Sequence, residues 1–212
     1  MFFYAPMIFE QSGIGTDAAF MQAILVGLIN LVFTVLAILF IDKLGRKPLL
    51  TFGVAGIAIS MFVLSWGFSS ATYSLSQESI SALPAQIDQT VLTPLIGQEF
   101  GSELAYTEAA EKVLGKQVFA DNKTQLITAS IHMNSMLILL AILGFVASFA
   151  ISIGPVMWVL FSELFPNKIR GIAISFVGLI NSAVSFLVQW IFPWELDYLG
   201  SAATFLIYGL FA

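Results

Sequence analysis

Residues 154–171, GPVMWVLFSELFPNKIRG, are the most informative part of the chain. This stretch joins three predicted segments. An apolar helix interrupted by Gly154 and Pro155 is followed by a charged turn and then by another apolar helix. Pro155 lacks a backbone N–H and its ring clashes with the preceding turn, so the Gly-Pro pair predicts a helix break. Within lipid, a broken helix is tolerated only where protein or a water-filled cavity covers it. The stretch therefore predicts a membrane helix that faces the interior of a bundle, although such pairs also kink helices without a functional role.

Trp158 follows the expected break by about one helical turn. Its indole offers a flat apolar face and one N–H donor, which suits stacking against a sugar ring. Tryptophans near helix ends also anchor helices at the membrane interface, so both interpretations stay open at this point.

The composition is that of a membrane protein. Hydrophobic residues make up 58% of the 212 residues and charged residues only 10%, whereas roughly a quarter of a soluble domain is charged. Four runs without Asp, Glu, Lys or Arg are long enough to cross a bilayer as helices. They are residues 18–41, 49–69, 131–161 and 172–192. The sequence therefore predicts an all-α, polytopic transmembrane helical bundle. Apolar residues 1–9 and 200–212 are too short to span, so the chain is expected to be a fragment.

The composition also excludes several classes of function. Without cysteine the chain has no disulfide framework and no Cys-rich zinc site. The formal net charge of −5 comes mostly from one acidic loop, and no basic patch suits nucleic acid. The sequence holds no set of nucleophile, base and orienting residue and no Gly-rich phosphate loop. We therefore predict no enzyme activity, no metal site and no cofactor.

The short loops predict the orientation in the membrane. Residues 42–47 and 166–170 are rich in Lys and Arg, whereas residues 10–17 and 193–199 contain neither. Short basic loops stay on the cytoplasmic side, so the long segment at residues 70–130 is expected outside the cytoplasm.

Four motifs, in this order and spacing, resemble those of the sugar porter family within the major facilitator superfamily. They are YAPMIF at residues 4–9, DKLGRKP at 42–48, GPVMW at 154–158, and SELFP at 162–166 with Arg170-Gly171. The similarity is greatest to bacterial proton-coupled pentose and hexose symporters of the xylose type. It implies half of a major facilitator superfamily fold, from late in transmembrane helix 7 to early in helix 12.

The resemblance divides the chain into three parts. Residues 1–69 would form the end of helix 7 and helices 8 and 9. Residues 70–130 would form a long extracytoplasmic loop insertion, and residues 131–212 helices 10 and 11 and the start of helix 12.

Two predicted spans carry a stripe of small and polar residues at helical spacing. The members are Ala23, Gly27, Asn30, Thr34 and Ala37 in the first span, and Gly171, Ser175, Gly178, Ser182, Ser185 and Gln189, with Asn181 beside them, in the last. Small residues let membrane helices pack closely and need no ligand. An unsatisfied amide in lipid is costly, however, which favours a functional role for Asn30 and Asn181.

The resemblance implies roles for individual residues. Asn30, Trp158 and Asn181 match the family's contacts to the sugar, Phe149 an aromatic residue that lines the cavity, and Tyr4 an aromatic residue of the outer gate. The family's proton-coupling acidic residue belongs to helix 1, outside this chain, so symport and uniport both stay open.

Charged residues at the helix ends form a second candidate feature, made of Asp42, Arg46, Lys47, Glu163 and Arg170. Arg46 and Lys47 lie beside Asp42, and Glu163 precedes Arg170 by seven residues, so charge-assisted pairs across helix ends are expected. The resemblance implies a cytoplasmic latch of the outward-facing state. The alternative is topology control, since exposed ion pairs contribute only about 0–1 kcal/mol.

The long segment contains one clear helix signal. Ser102 predicts an N-cap with Glu103 in the first turn, and Gly115 predicts the C-terminal stop. The apolar stripe between them is Tyr106, Ala109, Ala110 and Val113. Such a helix could cover the outer mouth, or the segment could be a tolerated insertion. His132 is expected at the outer end of the next helix, at the membrane interface.

These features predict transport of a monosaccharide, a pentose or a hexose, by alternating access. Protons are the expected coupling ion. The other expected partners are the lipid bilayer and the missing N-terminal half, in a bacterial inner membrane. The alternatives are a polyol or organic-ion carrier of the same superfamily and a sensor that binds sugar without transporting it.

Overall fold

The computed structural model describes residues 16–81 and 91–212, most of which are helical. The long helices are α1 (Thr16–Leu44), α2 (Arg46–Ser69), α6 (Ser135–Ile151), α7 (Ile153–Leu164) and α8 (Arg170–Phe211). Within these described residues, four helical spans are long and apolar enough to cross a membrane: Ile24–Leu44, Arg46–Ser69, Ser135–Leu164 and Arg170–Phe211. The prediction of an all-α, polytopic membrane bundle is confirmed.

The outer surfaces of these helices are apolar. On α8, Ile172 is 77% exposed, Leu179 67% and Trp190 71%. Side chains of this size carry a large penalty in water but none in lipid, which is as apolar as they are. The exposed faces therefore suit a bilayer or a further set of membrane helices.

The turn between α1 and α2 is a single residue. Gly45 has φ +81°, and its N–H donates to the carbonyl of Ile41 at 3.1 Å. A residue with a side chain rarely adopts that φ, so glycine ends α1 here. Pro48 falls in the first turn of α2, where its missing N–H costs no helical hydrogen bond.

Residues 71–81 and 91–133 form a small folded region between α2 and α6, the interhelical domain. Its elements are β1 (Thr72–Ser74), α3 (Gln77–Ser81), a 3-10 turn (Thr93–Leu95), β2 (Glu99–Phe100), α4 (Glu103–Leu114), α5 (Lys116–Ser130) and β3 (Ile131–His132). The three strands form an antiparallel sheet in the order β2-β1-β3, in which Tyr73 is opposite both Phe100 and Ile131. The segment expected to be a loop is thus a domain with a sheet of its own.

The predicted helix in this domain is confirmed. Ser102 Oγ accepts a hydrogen bond from the N–H of Ala105 at 3.2 Å, as an N-cap does. Gly115, with φ +84°, ends α4, and its N–H donates to the carbonyl of Glu111 at 2.9 Å. The stripe of α4 faces inward, since Tyr106 and Ala110 are fully buried.

The core of the interhelical domain contains aromatic rings in contact. Tyr106 stacks on Tyr73 with 5.9 Å between ring centroids, and Phe100 meets Tyr106 edge-on at 5.8 Å. The Tyr106 hydroxyl donates to the carbonyl of Leu126 at 3.3 Å. Burial raises the pKa of Tyr106, and burial together with the nearby Glu103 carboxylate raises the pKa of Tyr73. Both phenols therefore stay neutral to a higher pH than a solvent-exposed tyrosine does.

One predicted helix start is wrong. Residues 131–161 were expected to form one span, but Ile131 and His132 belong to β3, and α6 begins at Ser135. The backbone of Ile131 pairs with that of Tyr73, and Asn134 Oδ1 accepts from the N–H of Leu137 at 3.2 Å. Because of the strand pairing and this cap, α6 begins at Ser135 and not at residue 131. His132 is accordingly an exposed strand residue opposite Thr72.

A second correction concerns residues 193–199, which were expected to be a loop and are helical. The chain reverses at Gly200, where φ is +76° and ψ is 162°. The rings of Phe192 and Tyr208 lie 6.1 Å apart, whereas a straight helix would separate these positions by about 24 Å. The Tyr208 hydroxyl donates to Glu195 Oε2 at 2.7 Å and joins the two arms of this helical hairpin.

The described residues divide into two compact units, residues 16–26 with 63–81 and 91–142, and residues 27–62 with 143–212. In the first unit, a Cβ on Gly67 would lie 2.7 Å from Ile138 Cδ1 and 3.0 Å from Leu137 Cδ2, so α2 and α6 touch there. In the second unit, a Cβ on Gly209 would lie 3.2 Å from Met61 Cβ, so the last arm of α8 packs on α2.

Candidate substrate-binding site

The break in the long membrane helix lies at Ser152, between α6 and α7. Ser152 has φ −122° and ψ −94°, outside the helical region. Gly154 and Pro155, which were predicted to be the break, instead lie in the first turn of α7. The ring of Pro155 excludes the carbonyl of Ile151, four residues earlier, from a continuous helix, so the chain must leave helical geometry between them. The missing N–H of Pro155 then falls where a helix start needs no donor.

Ser152 is held from two sides. Its Oγ donates to the carbonyl of Ser148 at 2.6 Å, and its side chain is fully buried. A Cβ on Gly53 of α2 would overlap Ser152 Oγ and Cβ, and one on Gly56 would overlap Ser148 Oγ. The two serines therefore occupy the space that the two glycines leave free. This close approach of helices through small residues fixes the break against α2.

The break brings an aromatic ring over glycine. A Cβ on Gly154 would lie 3.5 Å from Phe149 Cε1 and 3.4 Å from the Phe149 carbonyl oxygen. Phe149 in turn stacks on Phe145 with 6.4 Å between ring centroids. The distances from a Cβ at position 154 are ordinary van der Waals distances, so the Phe149 ring lies directly against this position.

The other candidate contact residues lie on three helices. Trp158 on α7 is 48% exposed, and its ring meets Phe161 edge-on with 6.2 Å between centroids. Asn30 on α1 is half-buried and Asn181 on α8 is exposed. The structure brings Phe149 and Gly154 into contact and leaves Trp158, Asn30 and Asn181 with side-chain surface open to a ligand. Tyr4, the candidate gate residue, lies outside the described residues.

At the charged helix ends, the structure pairs residues differently from the expectation. Arg46 Nη2 forms an ion pair with Glu163 Oε1, joining the start of α2 to the end of α7. Arg170 does not form the ion pair with Glu163; its Nε–H donates a hydrogen bond to the carbonyl of Phe165 at 3.3 Å. Asp42 and Lys47 are exposed. The reason is geometric, because Arg170 begins α8 and caps the preceding turn locally.

Three features of this region were not predicted from the sequence. They are the placement of Ser148 and Ser152 against α2, the Glu195–Tyr208 hydrogen bond, and the ion pair between Arg46 and Glu163. A signal existed for the first, since Gly53 and Gly56 are three residues apart and Ser148 and Ser152 four apart. Within residues 16–81 and 91–212, no group of three or more His, Asp or Glu side chains is arranged to hold a metal ion.

Comparison with known proteins covers nearly the whole chain. The chain is 33% identical over 213 aligned residues to the D-xylose-proton symporter of Escherichia coli strain K12, across 98% of this chain and 31% of that protein. It is 30% identical to the arabinose-proton symporter of Bacillus subtilis strain 168, across 98% of this chain and 32% of that protein. The chain therefore spans about a third of the length of these curated relatives.

A solved structure of a sugar symporter is similar to this chain as well. The proton:xylose symporter XylE of the major facilitator superfamily, bound to 6-bromo-6-deoxy-D-glucose, is similar with a TM-score of 0.62 and 32% identity, covering 99% of this chain and 32% of that one. The family model described as "Sugar (and other) transporter" matches residues 1–85 and 113–212 and leaves out part of the interhelical domain. These matches are to multi-pass membrane transporters rather than enzymes. The chain belongs to the sugar transporter family of the major facilitator superfamily.

Proposed function

We propose that this chain is part of a transporter that carries a monosaccharide, a pentose or hexose, across the membrane by alternating access and in symport with protons. Two relatives that match 98% of the chain are named as proton symporters of D-xylose and arabinose. A similar solved structure holds a halogenated glucose. The sugar class and the coupling ion of the proposal rest on those similarities.

The observation that carries the proposal is the helix break at Ser152, with Phe149 before it and Trp158 after it. Transporters of many folds place their substrate at discontinuous helices near the middle of the membrane, where irregular backbone lines a cavity. Half of the Trp158 surface is open, which leaves an indole available to pack against the apolar face of a sugar.

Asn30 and Asn181 supply the polar part of the proposed site. A sugar hydroxyl both donates and accepts, and an amide side chain matches it with both groups. The two asparagines lie on α1 and α8, while Trp158 lies on α7, so the proposed site draws on three helices. The Arg46–Glu163 ion pair is proposed to latch the inner side in one of the two conformations.

The first test replaces Trp158 in the whole transporter. Trp158→Ala should weaken sugar binding by about tenfold, because the stacking face and the N–H donor are lost together. Trp158→Phe should keep part of the affinity. The matched control is Trp66→Ala, which removes a tryptophan that is 63% exposed on α2. Binding is measured by titration calorimetry in detergent, with D-xylose, L-arabinose and D-glucose.

Transport and coupling are measured on the same protein in proteoliposomes. Uptake of the labelled sugar should accelerate when a proton gradient is imposed and should lose that acceleration with a protonophore. Sugar binding without any uptake would support the sensor alternative. Unchanged binding in Trp158→Ala would show that this indole is an interface anchor.

A further inference from the structure

Two contacts with α2 fix how α7 is turned about its own axis. At its start, Ser152 lies against Gly53, and near its end Glu163 pairs with Arg46. Ser152 and Glu163 are eleven positions apart, which is about 16 Å along a helix. A helix held at two such points has little freedom to rotate. The buried and the open sides of α7 are therefore well defined.

Trp158 and Phe161 share the open side of α7. Val156 is fully buried, and Trp158 lies about 200° around the helix from it. Phe161 is three positions after Trp158, and side chains at this spacing are neighbours on a helix surface. Trp158 is half-exposed and Phe161 partly exposed. The two rings thus stand next to each other where a ligand can reach the indole.

The rings of Trp158 and Phe161 are perpendicular. Their planes meet at 89°, with 6.2 Å between centroids. This edge-to-face arrangement is favourable for aromatic pairs, because the positive edge of one ring meets the negative face of the other. An indole with this much open surface could otherwise occupy several staggered rotamers. The contact with Phe161 favours one of them.

An indole that is already oriented binds a flat ligand at a lower cost. Ordering a mobile side chain on binding opposes affinity, and orienting it beforehand removes that cost. Phe161 lies between the GPVMW motif at residues 154–158 and the SELFP motif at 162–166 and belongs to neither. The resemblance to sugar porters therefore gives this residue no role.

We propose that Phe161 is a positioning residue, which holds the Trp158 indole in the orientation that stacks on the sugar. Phe161 acts through the indole and not by a contact of its own with the sugar. The inference deepens the proposed sugar site and rests on the role of Trp158 in it.

The test measures D-xylose binding to the whole transporter by titration calorimetry. Phe161→Leu keeps an apolar side chain but removes the ring, and it should weaken binding about fivefold. Phe161→Tyr keeps the ring and should bind within about twofold of the parent. The matched control is Tyr198→Leu, which removes the aromatic neighbour of another tryptophan, Trp194, at 4.8 Å between centroids. It should leave binding unchanged.

A double-mutant cycle separates positioning from direct contact. Trp158→Ala with Phe161→Leu should bind as weakly as Trp158→Ala alone, because no indole remains to be oriented. A further fivefold loss in the double variant would show that Phe161 acts independently of the indole and would overturn the inference. Unchanged binding in Phe161→Leu, or binding in Phe161→Tyr as weak as in Phe161→Leu, would overturn it as well.

Melting temperatures complete the test. Phe161→Leu should melt as close to the parent as Tyr198→Leu does. A larger fall would assign the ring to the packing of α7 and reject the positioning role. Normal binding in Trp158→Ala would show that the proposed sugar site itself is wrong. Weak binding in Trp158→Ala with normal binding in Phe161→Leu removes only the present inference.

Discussion

Single atoms set the distance between α2 and the broken helix. Gly53 has no Cβ, and Ser152 fills the space where that atom would be. Ser152 Oγ also donates a hydrogen bond to the carbonyl of Ser148, which favours this orientation of the side chain. Membrane helices gain little from the hydrophobic effect between them, so contacts at this range supply much of their association.

Gly53→Ala should destabilise the whole transporter by about 1–3 kcal/mol, because the added methyl group forces the helices apart in a packed interface. Gly27→Ala is the matched control, since a Cβ on Gly27 meets nothing within 4 Å. It should leave the melting temperature unchanged or raise it slightly. Both melting temperatures are measured on the purified protein in detergent.

The double variant Gly53→Ala with Ser152→Gly should recover part of the lost stability, because it removes the side chain that the new methyl group strikes. Equal melting temperatures for Gly53→Ala and Gly27→Ala would mean that α2 and the break are not packed as closely as described.

Among the helices and strands, the sequence predicted those helix ends whose hydrogen-bond partners lie only a few residues away. Ser102 and Gly115 marked both ends of α4 because a cap is made within a few residues of the helix end. Local signals could not predict the start of α6 or the pairing of the strands. Tyr73 and Ile131 are 58 positions apart, and no local pattern reports such a pairing. Likewise Pro155 predicted a break, but only the backbone angles of the folded chain show that Ser152, which packs against Gly53, is the residue that leaves the helix.

The interhelical domain should lose stability in alkali. The pKa of Tyr73 is raised in the folded domain by burial and by Glu103, whereas an unfolded tyrosine ionises near pH 10. The stabilisation is therefore fully present below about pH 10 and is lost as the pH rises further, because only the unfolded chain gains from ionisation. Tyr73→Phe should reduce this pH dependence.

The measurement is cleavage within residues 71–133 by an alkaline protease between pH 8 and 11, read by mass spectrometry. Tyr198→Phe, at a position on α8 that is 67% exposed, is the control and should behave like the parent. An identical rise of cleavage with pH in Tyr73→Phe and the parent would contradict the assignment.

For the whole molecule, charge predicts the orientation that the fold alone leaves open. The ion pair of Arg46 with Glu163 lies at the charged turns, and the interhelical domain follows the other end of α2. Basic short loops stay in the cytoplasm, so the interhelical domain is predicted on the outer side.

Cysteine labelling in intact cells tests this orientation. Cysteines at Leu44 and Asn167 should be shielded from an impermeant thiol reagent, and one at Gln98 should react. All three positions are exposed in the structure, so burial would not account for a lack of reaction. The chain has no cysteine of its own to add background. Labelling at Leu44 and Asn167 with protection at Gln98 would reverse the orientation.

The pairing of β1 with β3 has a mechanical consequence. β1 starts three residues after α2 ends, and β3 ends three residues before α6 starts. The hydrogen-bonded strands therefore hold the end of α2 near the start of α6 and oppose their separation. The interhelical domain is thus mechanically coupled to α2 and α6. An antibody fragment bound to the interhelical domain would transmit force to these two membrane helices. A probe attached to the domain would report changes in their tilt.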